Sequence, residues 1–168
     1  MTKIVNRSLI SLALLLCTFA SIGQPKYYDY AGKFKVQFPG KPATDSQVQE
    51  TDIGNVTLYQ FIYETQDYVY MVSYVDYPAD KLNPDKKELL KNAKDGFVNA
   101  LNLTVSEEGF ITYGKHQGIR FVANDSEKYC IMRDYLVDNR LYQLGILQFG
   151  KISEQAENDF FDSFELVK

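Results

Sequence analysis

Apolar and polar side chains alternate along much of this chain, which is the pattern that half-buried β-strands produce. The segment Phe34-Lys35-Val36-Gln37-Phe38 is a clear example, and the breaker Pro39-Gly40-Lys41-Pro42 follows it directly. Alternating or continuous apolar segments bounded by turn residues predict strands at 34–38, 48–51, 56–64, 68–77, 110–113, 119–123, 128–137 and 140–149. We therefore expect a fold built mainly from β-strands.

The segment 68–77 differs from the other strands because it is apolar on both faces. Its apolar residues are Tyr68, Val69, Tyr70, Met71, Val72, Tyr74 and Val75. A strand of this kind is usually central in its sheet and covered on both sides. The segment is therefore predicted to be an inner strand, with other elements packed above and below it.

The dipeptide Asp138-Asn139 predicts a two-residue hairpin turn, since both residue types tolerate left-handed backbone. A turn of this length determines the register of the two strands that it joins. The predicted pairs are Tyr135–Tyr142, Arg133–Leu144 and Ile131–Ile146 on one face and Leu136–Leu141 on the other.

Helical spacing of apolar residues appears in two places. Asn83-Pro84-Asp85 predicts a helix start, and the apolar positions that follow predict a helix over about 84–101. Ser153 is the predicted cap of a final helix, whose apolar face comprises Ala156, Phe160, Phe161 and Phe164. Since the two helices are far apart and the strands form meanders, the predicted class is α+β with a largely antiparallel sheet.

The first 23 residues have the features of a signal peptide. Lys3 and Arg7 precede an apolar run from Leu9 to Ile22. Ser21 and Gly23 place small residues at the −3 and −1 positions, which predicts cleavage after Gly23. We therefore expect an exported protein, periplasmic or extracellular, with one domain over 24–168 and no stable membrane insertion after cleavage. An uncleaved anchor is one alternative. A lipoprotein with Cys17 as the acylated residue is another, and bulky Leu16 disfavours it.

Charge narrows the range of partners. The net charge is −4, and it becomes −6 once Lys3 and Arg7 are removed with the signal peptide. An acidic chain without a basic cluster argues against nucleic acid and anionic lipid as partners. We expect no nucleic-acid binding.

Four short motifs stand out along the chain: Phe34-x-Val36-x-Phe38-Pro39-Gly40-Lys41-Pro42, Gly118-Ile119-Arg120, Asp138-Asn139-Arg140-Leu141-Tyr142 and the ending Phe160-Phe161-Asp162-Ser163-Phe164-Glu165-Leu166. They resemble those of a widespread group of exported bacterial proteins with a PsbP-like fold, and the last looks like that group's final helix. The PsbP-like superfamily includes extrinsic subunits of photosystem II and a Ran-binding factor. The resemblance implies an antiparallel sheet sandwiched by helices, and it carries no function over to these residues.

Residues that could perform catalysis are sparse. His116, in the predicted exposed turn Gly114-Lys115-His116-Gln117-Gly118, is the only histidine, and no Gly-x-Ser-x-Gly motif accompanies it. Cys130 would be the single cysteine after signal cleavage, and its apolar strand predicts a buried, inert thiol. Asn124-Asp125-Ser126-Glu127 is predicted to be a polar hairpin turn. We therefore predict no catalytic residue, no metal site and no cofactor.

Thirteen tyrosines and no tryptophan are the main compositional feature. Tyrosine combines an apolar ring with a polar tip, which suits a binding surface, although packing in the sheet explains the same pattern. The candidate binding residues are Tyr59, Tyr63, Tyr68, Tyr70 and Tyr74, together with Arg120, Arg133 and His116. The two arginines are expected either to pair with an acid such as Asp134 or Asp76 or to face solvent.

Three functions stay open at this point. The preferred one is a non-enzymatic binding or accessory module whose partner is a protein, peptide or glycan. The second is a hydrolase that uses carboxylates or His116. The third is a carrier of a small apolar ligand, which requires a cavity between the sheet and a helix.

Overall fold

A computed structural model describes residues 26–51, 54–82, 85–149 and 154–168. The strands in these ranges are β1 (Tyr27–Asp29), β2 (Phe34–Val36), β3 (Ala43–Thr51), β4 (Gly54–Glu64), β5 (Tyr68–Asp76), β6 (Thr104–Tyr113), β7 (His116–Asn124), β8 (Tyr129–Val137), β9 (Arg140–Gln148) and β10 (Glu165–Leu166). The helices are α1 (Lys86–Ala100) and α2 (Glu154–Asp162). The predicted signal peptide lies outside the described residues.

The strands form two antiparallel sheets. The larger has seven strands in the order β3-β4-β5-β9-β8-β7-β6, and the smaller has three in the order β1-β2-β10. Two helices and largely antiparallel sheets give the predicted α+β class. β5 lies between β4 and β9 in the larger sheet, which confirms that the doubly apolar segment is an inner strand.

Each face of the larger sheet buries a separate core. One face packs against α1, and residues such as Leu90 of the helix and Phe121 of β7 form this core. The other face packs against the smaller sheet and α2, through residues such as Phe34, Phe160 and Phe164. The predicted arrangement of helices on both faces is therefore only part of the architecture, because a second sheet shares one face with α2.

The hairpin of β8 and β9 confirms the predicted register. All four predicted residue pairs are Cα partners in the antiparallel ladder. Asp138 adopts a φ of 55°, so the turn uses the left-handed backbone that this residue type tolerates. A local turn signal was sufficient here because the turn is only two residues long.

The helix boundaries differ from the prediction at two points. The cap of α1 is Asp85, two residues after the predicted capping residue Asn83, and Asn83 and Pro84 lie outside the described residues. α2 ends at Asp162, so Phe164 follows the helix instead of belonging to its apolar face, and the chain continues into β10. The predicted cap Ser153 also lies outside the described ranges. No helix in the described part of the chain is long and apolar enough to span a membrane.

The cap of α1 provides a test of this boundary. The Asp85 carboxylate accepts hydrogen bonds from the backbone N–H of Lys87 at 2.9 Å and of Glu88 at 3.2 Å. We expect Asp85→Ala to lower the free energy of unfolding by about 1 kcal/mol, since it leaves these donors without their acceptor. Urea denaturation measures the change. Asp85→Asn is the matched control because it retains an acceptor, and an equal loss in both variants would contradict this role of the cap.

Candidate functional site

A groove separates α1 from the part of the larger sheet that contains β3, β4, β5 and β9. Its volume is about 350 Å³. The apolar side chains that line it include Val56, Leu58, Val75, Phe97 and Leu141. Polar residues are fewer: Gln49, Thr51, Tyr77, Asn92 and Gln143.

The groove exists because small residues occupy the facing side of the helix. Ala93, Gly96 and Ala100 line it and recur at intervals of three and four residues, which places them on one helix face. A Cβ added at Gly96 would meet no atom within 4 Å, so this position opens onto free space. Larger residues at these positions would close the gap between helix and sheet.

Behind the groove lies a buried carboxylate. Asp134 of β8 is 0% exposed and is the Cα partner of Gln143 on β9. Gln143, which lines the groove, donates a hydrogen bond from its Nε2 to Asp134 Oδ2 at 3.1 Å. The other carboxylate oxygen, Oδ1, is buried and has no hydrogen-bond partner in the described part of the chain. A buried acceptor of this kind is costly, and such atoms often indicate a functional site.

The surroundings of Asp134 favour its neutral form. Burial raises its pKa to about 7, and the hydrogen bond from Gln143 opposes this increase only in part. Asp134 forms no ion pair with any residue in the described ranges. The pKa of Tyr77, which lines the groove, is raised mainly by burial and also by the charge of Asp134. The field of the carboxylate therefore reaches the groove lining.

Cys130 lies on the same face of β8 as Asp134. It is buried and free, and burial together with the charge of Asp134 raises the pKa of its thiol to about 12. A thiol with this pKa has almost no thiolate at neutral pH. This agrees with the predicted inert thiol and gives Cys130 no role as a nucleophile.

The predicted tyrosines lie on the opposite face of the sheet, which packs against the smaller sheet and α2. Tyr70 and Tyr74 are buried in that core. Tyr59 stacks on Tyr74 with ring centres 4.8 Å apart and stays 38% exposed. Tyr63 and Tyr68 are partly buried, with ring centres 6.5 and 6.0 Å from that of Tyr70. Two of the five candidates are thus core residues, and Tyr59 is the most exposed of the five.

Arg120 and Arg133 converge on one acid of α2. Arg120 lies 3.4 Å from Glu157 and 3.3 Å from Glu107. Arg133 lies 3.8 Å from Glu157 and 3.2 Å from Asp162. Its guanidinium also packs 4.6 Å from the centre of the Phe161 ring. The two arginines therefore attach α2 to the sheet.

Both arginines pair with acids, as expected, but the two acids named from the sequence, Asp134 and Asp76, are not their partners. Asp76 instead accepts two hydrogen bonds of 2.6 Å from Arg140, whose guanidinium packs over the Tyr74 ring. Asp134 is adjacent to Arg133 in sequence, but neighbouring residues of a strand point to opposite faces, so the two side chains are separated by the sheet. Contacts with α2, which sequence proximity does not reveal, decided the pairing.

His116 is the first residue of β7 and is opposite Tyr113 of β6. The prediction that it lies in a turn was wrong, because Gly114 and Lys115 alone connect the two strands and His116 is half-buried. Its strand, β7, is separated by β8 from β9, the nearest strand that lines the groove. The other predicted turn is confirmed: the Asp125 carboxylate accepts hydrogen bonds of 2.7 Å from the backbone N–H of Glu127 and of Lys128.

No protein-family model matches this chain, and no curated protein sequence matches it. The resemblance to PsbP-like proteins therefore stays a prediction. Within the described ranges, no three His, Cys, Asp or Glu side chains lie close enough together to hold a metal ion.

Sequence reasoning did not identify the groove. The spacing of Ala93, Gly96 and Ala100 was a signal that could have indicated a thin helix face. The predicted register of β8 and β9 also placed Asp134 opposite Gln143. Neither signal showed that α1 covers this pair, because the packing of the helix on the sheet depends on residues far apart in the chain.

Proposed function

We propose that this protein is an exported, non-enzymatic binding module with a PsbP-like fold, and that it holds a small, largely apolar ligand in the groove between α1 and the larger sheet. The observation that carries the proposal is the apolar groove with the incompletely paired Asp134 behind its lining. The predicted signal peptide supports export. The proposal joins the binding module and the ligand carrier, two of the functions that the sequence left open.

The size of the groove suits a small molecule. Ligand pockets have volumes of roughly 300–1,000 Å³, and the groove, at about 350 Å³, lies at the lower end. A ring system or a short hydrocarbon chain is a ligand of that size.

The chemistry of the lining favours binding over catalysis. Among the described residues, no histidine, cysteine or carboxylate lines the groove. Nucleophilic catalysis needs a nucleophile and a base within hydrogen-bond reach of the substrate. Asp134 lies behind Gln143 and is fully buried, so it acts on a bound molecule through that amide and through its charge.

A second candidate is a surface around Tyr59 for a protein, peptide or glycan. Tyr59 stacks on Tyr74 and is 38% exposed, and Val48 on the neighbouring strand is 68% exposed. Exposed aromatic and apolar side chains together are typical of contact surfaces. This surface lies on the other side of the sheet from the groove, so the two candidates can be tested separately.

Filling the groove tests the preferred function. We expect Gly96→Leu to weaken binding of the fluorescent apolar probe N-phenylnaphthylamine by about tenfold or more, because the new side chain occupies the volume that the probe needs. A Cβ at position 96 meets no atom within 4 Å, and glycine is the poorer helix former by about 1 kcal/mol. The variant should therefore be at least as stable as the original protein. Fluorescence titration measures the affinity, and urea denaturation measures the stability.

Two further variants make the result decisive. Gly96→Ala changes the helix propensity but fills little of the groove, and it should retain most of the probe affinity. Tyr59→Ala should leave the affinity unchanged if the probe occupies the groove. If Gly96→Leu binds the probe as the original protein does and Tyr59→Ala does not bind it, the probe binds at the surface around Tyr59 and not in the groove.

A further inference from the structure

We infer that the groove selects ligands whose polar end is a hydrogen-bond donor, such as an amine or an alcohol, and discriminates against carboxylates, because Asp134 fixes Gln143 as an acceptor. This inference rests on the proposed function. It adds the chemical class of the ligand's polar end, which the groove volume and the apolar lining do not determine.

The first step concerns the orientation of the Gln143 amide. An ionised carboxylate has only acceptor atoms, so it must take its hydrogen bond from the amide nitrogen. Nε2 of Gln143 makes this bond to Asp134 Oδ2 at 3.1 Å. The carbonyl oxygen Oε1 has no partner among the described residues. Gln143 therefore offers a ligand an acceptor, which a donor group can satisfy.

The second step concerns charge. The groups around Asp134 on its own strand and the neighbouring ones include Cys130 on β8, Gln143 on β9, Ile119 on β7 and Tyr77 after β5. None of these four side chains carries a positive charge. A carboxylate ligand would meet an uncompensated negative charge, whereas an ammonium ligand would supply the missing counter-charge.

The helix that covers this face does not change that balance. The buried cation of α1 is Lys94, which lies on the same buried face of the helix as Leu90 and Val98. Its ammonium pairs with Asp95 at 3.0 Å and also with Glu108 of β6. Lys94 is therefore already neutralised by two acids and forms no ion pair with Asp134.

Matched probes test the inference. We would titrate the full chain at pH 8 with naphthylmethylamine, naphthylmethanol and naphthoic acid, which share one ring system and differ in the polar group. The amine should bind at least about tenfold more tightly than the acid, because it gains a charge-assisted hydrogen bond where the acid meets charge repulsion. The alcohol, which gains a neutral hydrogen bond, should also bind more tightly than the acid. Asp134→Asn should reduce the amine-to-acid ratio to about threefold or less, because an asparagine amide can pair with either orientation of Gln143.

A second variant gives an independent comparison. Gln143→Leu removes the acceptor while keeping an apolar lining, and it should weaken the amine and the alcohol more than the acid. Equal binding of the three probes to the original protein, or an unchanged ratio in Asp134→Asn, would overturn the inference while the proposed function stands. Failure of all three probes to bind would overturn both.

Discussion

Replacing Phe34 by alanine should lower the free energy of unfolding by about 3–5 kcal/mol, the cost of removing a fully buried phenylalanine. Phe34 is 0% exposed. Its ring lies 5.1 Å from that of Phe61 and 6.0 Å from that of Phe164, with Tyr74 and Tyr142 at 6.5 and 6.3 Å. It therefore connects the smaller sheet to the larger one and to the chain after α2, and no single element can move in to fill the cavity.

Urea denaturation, monitored by circular dichroism, measures this loss of stability. Tyr30→Ala is the matched control, since Tyr30 belongs to the same small-sheet region but is 83% exposed. Surface substitutions of this kind change stability by about 0.5 kcal/mol or less. A loss of less than about 1 kcal/mol for Phe34→Ala would contradict the packing of the smaller sheet on the larger one.

Asp134→Asn should make the protein more stable at pH 8 and leave its stability nearly unchanged at pH 4. Burial raises the pKa of Asp134 from 3.8 to about 7 in the folded state. Between these values the folded state binds more protons than the unfolded state, so this group makes stability fall as pH rises from about 4 to about 7. Above that range the folded protein bears the full cost of a buried carboxylate, which asparagine does not have.

The expected gain at pH 8 is a few kcal/mol, since each unit of pKa shift corresponds to about 1.4 kcal/mol. Asparagine has nearly the shape of a protonated aspartate and can still bond to Gln143, so little packing is lost. Urea denaturation of both proteins from pH 4 to pH 8 measures the difference. Parallel curves for the two proteins across this range would show that Asp134 does not titrate as proposed.

The penalty at Asp134 also bears on the binding proposal. A residue with a purely structural role at this position would not have to be a carboxylate, because leucine or asparagine fits a β-strand core with a smaller loss of stability. A bound donor or cation would offset part of this cost. Ligand binding should therefore stabilise the original protein more than Asp134→Asn at pH 8, which thermal denaturation with naphthylmethylamine can measure.

Local patterns in the sequence determined much of the fold. Alternation of apolar and polar residues was sufficient to place most strands, and the Asp138-Asn139 turn was sufficient to set the register of β8 and β9, because both signals act over a few neighbouring residues. The doubly apolar segment that became β5 was recognisable as an inner strand for the same reason. β1 and β10 were missed because their three and two residues do not continue into a longer alternating segment, as the three residues of β2 do.

Tertiary structure decided the candidate site. Sequence placed Asp134 beside Arg133 as a plausible ion-pair partner, but the strand directs the two side chains to opposite faces of the sheet. α1 covers the face of Asp134, whereas α2 supplies Glu157 and Asp162 to Arg133 on the other face. Tyr70 and Tyr74 were candidates for a binding surface until the smaller sheet and α2 covered them. In each case burial and charge pairing depend on which distant element packs on a strand, and the residues of the strand alone do not specify it.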